Sequence, residues 1–599
     1  MTSGPSRSIL ARWKLAVITL LLFVFCLITI SAQDAKPAPT PTPSRSTLRE
    51  RPSGSIEGSV TDDGGRPIVD ARISVSGLNV DRNLKFESTD DEGRFHISNL
   101  SDGAYRVSVG APSYVQSDIN EIGPEGFTKL YHPGDVANFS LAKGGVITGT
   151  VTNQAGEPIV GLNVNVVRVG QAETDLDTVF GLARPTDDRG VYRIYGLRAG
   201  KYVVYTGGEV GGFNRSSPFE KDAPTYYPSS TRDTATILTV QAGQELADIN
   251  IRYRGEPGFT ISGTVTGSVG KMAILSLAAS GSNSPVSATF SPEQDGRHSF
   301  SFTGIPNGDY KLVGVGGDNS AHPDSIGSLT VSVKNNDVTG VVVTLAPLGS
   351  VAGHVSLTET ADAQCKTTDR PGLDRVVVAL QPEKKQIVSP FLSKDDQTAP
   401  DQHGDFRMDG LLVGNYRLRA LLPTDDWYIQ SVSRAANKSQ TTGQPEKTSP
   451  TSPESLSIKS GENTPGLAIN LSTGAGSLSG QITTASSQNA QAISNLRLVL
   501  VPTEKERADD TLRYSEVPIN SDGAFSFRNL APGRYFLLSR VASEPENPAR
   551  PLVWDSKERA KLLHDAETLG APVEIKPCQA TRDFKASISA NGSVKPTNN

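Results

Sequence analysis

Residues Thr89–Val109 read TDDEGRFHISNLSDGAYRVSV. Phe95 and Ile97 fall on one face of an extended strand, and His96 and Ser98 on the other. Tyr105, Val107 and Val109 repeat the alternation after a polar break, NLSDG. Asn, Ser and Asp bond to their own backbone in turns, and glycine accepts positive φ. The stretch therefore predicts a β-hairpin. Leu100 turns inward to plug the end of a core, and the Tyr105 hydroxyl seeks a partner at the rim.

Near-copies return at Thr186, Glu293, Asp401 and Asn520. Gly93 and Gly103 lie ten residues apart, as do Gly190 and Gly200, Gly404 and Gly414, and Gly523 and Gly533. In the third copy Gly296 and Gly308 are twelve apart. Two residues beyond each second glycine stands a tyrosine: Tyr105, Tyr202, Tyr310, Tyr416 and Tyr535. Three residues before it stands an aliphatic: Leu100, Leu197, Ile305, Leu411 and Leu530. An aromatic follows the first glycine at Phe95, Tyr192, Phe406 and Phe525, whereas the third copy has His298 there and Phe300 beyond it. Internal repetition at this spacing indicates tandem units.

Each copy is preceded by a glycine-led strand and turn, as in GSIEGSVTDDGGRPIVDARISV from Gly54 and GVITGTVTNQAGEPIVGLNVNVV from Gly145. Each ends on a further strand, such as ANFSLA or GVVVTLA. Several short strands per unit indicate an all-β fold of tandem β-sandwiches. The expected boundaries are 54–143, 144–255, 256–347, 348–474 and 475–599, with a polar loop over 434–456 inside the fourth unit. The linkers AKGG at 142–145 and GEPG at 255–258 are short, which predicts units held end to end.

The entrance G-x-V-x-D-x-x-G-x-P-I, followed by T-D-x-x-G-x-F-x-I-x-x-L-x-x-G-x-Y-x-V, resembles the carboxypeptidase regulatory-like domain. The resemblance covers most of 54–599, strongest in the first two units. It implies a prealbumin-like (transthyretin-like) sandwich, a form often grouped with carbohydrate-binding-like folds. In known proteins such modules accompany zinc carboxypeptidases, outer-membrane receptors and secreted surface proteins, and are not themselves the catalytic part.

Residues 1–32 have the order of a secretory signal helix: Arg7, Arg12 and Lys14, an apolar run from Leu15 to Ile30, then Ser31-Ala32. Retention as a membrane anchor is the alternative, although the run is shorter than the ~20 residues of a spanning helix. Cleavage would take the net charge from −6 to −9, because three cations and no acid leave. Residues 33–53, QDAKPAPTPTPSRSTLRERPS, read as an extended Pro/Thr-rich tether. An acidic chain with dispersed charge lacks the footprint of a nucleic-acid binder. The expected location is outside the cytoplasm: periplasm, cell surface or medium. The expected partners are a glycan or a protein at the cell surface, with membrane contact only through an uncleaved signal.

Of the three cysteines, Cys26 lies in the signal, leaving Cys365 and Cys578, either as one disulfide or as two unrelated thiols. Four aromatics, Tyr226, Tyr227, Trp427 and Tyr428, are candidates for loops that stack on a ligand, and the recurring Tyr-x-Pro pattern offers a structural alternative. Asp62-Asp63, Asp90-Asp91 and Asp187-Asp188 suit calcium or, more simply, turns. The single H-x-x-E, His564–Glu567, falls in an amphipathic helix whose apolar face is Ala560, Leu563 and Ala566. No Gly-x-Ser-x-Gly or phosphate-binding loop occurs. No enzyme activity, cofactor or metal site is expected. A secreted or cell-surface scaffold or binding protein fits these residues better, with a carbohydrate- or peptide-binding accessory to a separate hydrolase as the alternative and a metallocarboxypeptidase-associated protein as a distant third.

Overall fold

The structure, a computed structural model, describes residues 54–78, 84–116, 127–169, 183–208, 218–280, 285–318, 323–362, 365, 371–384, 386, 392, 397–434, 456–484, 496–520, 522–541, 552–589 and 593–597. The expected signal helix 1–32, the tether 33–53 and nearly all of the 434–456 loop lie outside them.

In the first unit the strands are β1 (Gly54–Asp62), β2 (Arg72–Gly77), β3 (Lys85–Ser88), β4 (Arg94–Leu100), β5 (Tyr105–Gly110), β6 (Tyr114–Gln116) and β7 (Phe139–Lys143). One sheet runs β4-β1-β7-β6 and the other β3-β2-β5. Their inner faces enclose Ile56, Val60, Ile73, Phe95, Tyr105 and Leu141 among others. Units two, four and five repeat this two-sheet arrangement. Each has its own cluster of buried aliphatic and aromatic side chains.

The expected hairpin is corrected by this topology. β4 pairs with β1 and β5 with β2, so the two strands of Thr89–Val109 lie in opposite sheets. The cause is a break in phase. Phe95 and Ile97 point inward two residues apart, but the next inward residue is Leu100, three further on. Asn99 absorbs the extra residue at φ 58°, and the β1–β4 register shifts there. This is a β-bulge, which bends the strand and adds twist. The same step recurs as Ile194 to Leu197, Phe302 to Ile305, Met408 to Leu411 and Phe527 to Leu530, all buried. The residue before each plug has positive φ: Gly196 at 76°, Gly304 at 68°, Gly410 at 75° and Asn529 at 53°. Asn and Gly are the residues that tolerate this region.

The chain then crosses to the other sheet, and the tyrosine pins the crossing. Each Tyr hydroxyl donates to the carbonyl four residues back: Tyr105 to Ser101 at 2.7 Å, Tyr202 to Arg198 at 2.7 Å, Tyr310 to Pro306 at 2.8 Å, Tyr416 to Leu412 at 2.8 Å and Tyr535 to Ala531 at 2.8 Å. A tyrosine corner of this kind satisfies the one polar atom of a side chain whose ring is in the core.

The last strand returns beside the first in the same direction. Val60 pairs with Phe139 in parallel, Val151 with Ile251, Gly263 with Val341, Gly353 with Leu467 and Gly480 with Phe584. The two backbones meet at a first-strand glycine. A Cβ on Gly58 would stand 1.8 Å from the Ala137 carbonyl oxygen, and one on Gly480 1.9 Å from that of Phe584. At Gly149, Gly263 and Gly353 the corresponding distances are 2.1, 1.8 and 2.4 Å. Any side chain at these positions would push the closing strand away.

Unit three uses the same strands but closes them into a seven-stranded barrel. Asp295 and Gly296 both have positive φ, and Gln294 pairs with Arg297 across them. This two-residue turn keeps its flanking strands paired. The strand Pro285–Gln294 therefore bonds to both Met272–Ala279 and Arg297–Ile305, joining the sheets along one side. Ser325–Val333 joins them along the other. His298, in the aromatic's place, is buried between strands, its ring nitrogens 2.9 Å from the Ser291 carbonyl and 3.1 Å from that of Gly270.

Unit five adds a helix, α1 (Ser556–Leu569), capped by Asp555, which accepts from the Lys557 and Glu558 amides. Its buried residues are Arg559, Leu562 and Ala566 rather than the expected Ala560, Leu563 and Ala566. Arg559 lies inward because its guanidinium donates to the Val553 carbonyl at 2.9 Å.

Two substitutions rank these constraints. Tyr105→Phe removes one hydrogen bond and should cost unit one about 1 kcal/mol. Gly58→Ala forces two strands apart and should cost about 3 kcal/mol or more. Pulse proteolysis of the full chain, with fragments mapped to unit one, measures both. Equal costs, or a larger loss for Tyr105→Phe, would contradict the close-approach argument.

Candidate functional site

The acidic turns are wired into the backbone. Asp90 Oδ1 accepts from the Glu92 and Arg94 amides at 3.1 and 2.7 Å. Asp187 does the same with Arg189 and Val191 at 2.9 and 2.8 Å, and Asp401 with His403 and Asp405 at 2.9 Å each. Asp62, 5% exposed, accepts from the Gly64 and Arg66 amides and pairs with the Arg66 guanidinium at 2.8 Å. The Arg66 amide leads in holding the Asp62 carboxyl below its ordinary 3.8, and the Val191 amide does so for Asp187.

The four candidate aromatics separate. Trp427 is corrected: it opens the strand Trp427–Arg434 and is 0% exposed in the core of unit four, so neither ring face is open to a ligand. Tyr428, next along the strand, is half-buried. Tyr227 is half-buried against the core of unit two, and its amide donates to the Val204 carbonyl at 2.9 Å. Tyr226 sits on a short strand paired to Tyr205, with the two rings stacked at 5.2 Å, and it also lines a cavity described below.

His564 and Glu567 are both exposed on α1. Among the described residues no three His, Cys, Asp or Glu side chains are grouped as metal ligands. Cys365, in the loop after the first strand of unit four, and Cys578, before the last long strand of unit five, are joined in a disulfide with Cα atoms 5.3 Å apart. Neighbouring contacts hold the same two units together. The Asn529 side-chain amide donates to the Thr424 and Trp427 carbonyls at 2.6 and 2.8 Å, and Arg417 donates to the Trp554 carbonyl at 2.9 Å.

Contacts between units are not confined to chain neighbours, which corrects the end-to-end expectation. Units one and four meet. The His132 Nε2 lies 3.0 Å from the Asp374 carbonyl, and Arg375 pairs with Asp135 at 3.2 Å. The Thr128 amide donates to the Gln397 side chain at 3.2 Å, and the Arg419 guanidinium lies 4.9 Å above the Phe127 ring. These pairs join residues that are far apart in the sequence, where no local pattern marks them.

Units two and three enclose a cavity of about 850 Å³. Gly304, the bulge residue of unit three, lies against unit two so closely that a Cβ would stand 2.5 Å from the Glu220 carbonyl oxygen. Thr303 donates to that same carbonyl at 3.2 Å. Around the opening stand Tyr226 and Arg232 from unit two, and Phe259, Ser287 and Tyr310 from unit three. Burial pushes the Tyr226 and Tyr310 phenols up to about 12, and Arg232 pulls both back in part. Of this group only Tyr226 was a candidate ligand residue in the sequence, while Tyr310 was legible as a repeat tyrosine. Arg232 and Ser287 carried no motif, and the cavity exists only where two units meet.

Residues 55–128 match the family model of the carboxypeptidase regulatory-like domain, so unit one carries that domain. No curated protein matches the chain. Among solved structures, the Bacillus anthracis TIE protein is 13% identical and covers 67% of this chain and 68% of its own, with a TM-score of 0.14. A minor pilin of Streptococcus agalactiae is 13% identical over 32% of this chain and 93% of its own, with a TM-score of 0.18. Two B repeat units of the Staphylococcus aureus collagen binding protein are 11% identical over 70% of this chain and 100% of their own, with a TM-score of 0.12. Scores this low leave the fold to be described from the chain itself.

Two outcomes follow. Asp62 and Asp187 have folded values below 3.8, so their stabilisation is complete above pH 3.8 and fades as pH falls through those lower values. In the double variant Asp62→Asn/Asp187→Asn the side-chain oxygens can still accept but no longer titrate. Its melting temperature should lie below that of the native protein at pH 5 and approach it toward pH 2; a gap that widens in acid would be contrary. Second, non-reducing digestion should release one peptide pair joined through Cys365 and Cys578, whereas two free thiols would contradict the bridge.

Proposed function

We propose that the protein is an exported, non-catalytic scaffold whose tandem β-units present loops outside the cytoplasm, with a protein at the cell surface as its partner. The observation that carries this reading is the fivefold recurrence of one structural device. The bulge, the plug, the corner tyrosine and the parallel closing strand are invested in making each unit rigid, and the polar residues of the repeat serve that purpose. Short linkers and direct contacts between units add to it. The basic, apolar and small-residue order of residues 1–32 supports export. A helix long and apolar enough to cross a membrane is absent among the described residues, a statement that leaves β-barrels aside.

A second reading, a binding accessory to a separate hydrolase, is favoured by the cavity beside Tyr226. A glycan partner has no such observation behind it.

Cell fractionation with N-terminal sequencing tests the main reading. The chain should appear outside the cytoplasm beginning near Gln33, and purified protein should release nothing from peptide substrates with a free C-terminus. A cytoplasmic chain retaining Met1, or peptide hydrolysis lost on His564→Ala with release of stoichiometric zinc, would overturn it.

A further inference from the structure

The cavity between units two and three contains polar groups that the protein itself leaves unused. No carboxylate forms an ion pair with Arg232 among the described residues. The nearby acids are already engaged: Asp233 by the Thr231 hydroxyl at 2.5 Å, Glu256 by Arg254 at 2.6 Å, and Asp309 by the Ser332 hydroxyl. The Tyr226 hydroxyl has no hydrogen-bond partner among the described residues, although its ring is 5% exposed and stacked on Tyr205. Ser287 lines the same space, is 3% exposed, and its hydroxyl has no partner among the described residues. A buried hydroxyl left alone costs about 1–3 kcal/mol, so a ligand that supplied the missing hydrogen bond would recover part of that cost.

We propose that this cavity binds a small monocarboxylic acid with a cyclic body. The acid's carboxylate accepts from the Arg232 guanidinium and the Tyr226 hydroxyl, a polar substituent reaches Ser287, and the ring lies on Phe259 and Ile305. A guanidinium beside a hydroxyl presents donors in the geometry a carboxylate accepts. The volume of about 850 Å³ falls in the range of small-molecule sites. A single unpaired cation also limits the charge. Three acids line the cavity, and repulsion grows in proportion to ligand charge, so a dianion such as phosphate meets about twice the repulsion of a monoanion. The site belongs to neither unit alone. Gly304 holds the walls in register through its close approach to unit two, so bound ligand also ties units two and three together.

The test uses the full chain and paired probes: benzoate with benzamide, and glucuronate with glucose. Ligand-observed NMR and titration calorimetry compare each acid with its neutral partner. One acid should bind at least about tenfold more tightly than its neutral partner, and which acid it is separates an aromatic source from a sugar acid. Arg232→Gln should weaken that acid by about tenfold to a hundredfold and abolish its advantage. Arg232 is half-buried in a three-residue turn that has no buried residue, so the variant should fold; Ser287→Ala is the second probe and should weaken binding by a few fold. Arg193→Gln, on a unit-two strand and paired with Glu245, should leave binding unchanged. Equal binding of acid and neutral partner, inorganic phosphate binding more tightly than either acid, unchanged binding by Arg232→Gln, or no acid bound at about 10 mM would each overturn the proposal. It stands apart from the scaffold reading: failed export leaves it intact, and failed binding leaves export intact.

Discussion

Everything in the five units follows from a three-residue step in a strand that otherwise alternates by two. Ile97 to Leu100 is the first instance. An extended strand can place both residues inside only if one residue between them leaves the regular pattern, and Asn99 does so with positive φ. The bulge bends the strand end, Leu100 seals the core, and the chain passes to the opposite sheet. There the tyrosine ring enters the core while its hydroxyl secures the crossing loop. Take away the bulge and the leucine faces water, the tyrosine loses its loop, and the two sheets lose their corner.

Much of this was legible in the sequence. The plug, the glycine pair and the tyrosine recur at fixed offsets, which was enough to anticipate tandem β-units; four of these are two-sheet sandwiches and the third is a closed barrel. The pairing was misread because two alternating stretches around a polar turn look the same whether they form a hairpin or a corner. The distinguishing sign was present in the three-residue step and in the Asn or Gly at 99, 196, 304, 410 and 529. First-strand glycines such as Gly58 and Gly480 were equally visible, but their reason is a parallel partner about 80 to 100 residues away, which local pattern does not reveal. Unit three announced its departure through the twelve-residue spacing and His298, although barrel closure depends on the Asp295-Gly296 turn.

Candidate site residues were less legible for a related reason. Trp427 looked like a loop aromatic because it follows the two alternating stretches of its unit, yet it begins a strand and fills a core. Tyr226 gains its interest from Arg232 and from Ser287, which stands in the next unit. The acidic pairs, chemically able to hold a cation, spend oxygens on backbone amides. The proposed site therefore lies where the repeat pattern stops, at a junction between units.

The central claim is that five separate cores are each organised around the first strand and its parallel partner. Hydrogen exchange of the full chain, followed by mass spectrometry, measures this directly. The account predicts five islands of slow exchange, centred on Gly54–Asp62, Gly145–Thr152, Phe259–Gly267, Gly349–Thr358 and Gly476–Thr484, each flanked by its own closing strand. Protection confined to one or two units, or slowest at the outer strands Lys85–Ser88 and Ser515–Pro518 rather than at these centres, would contradict it.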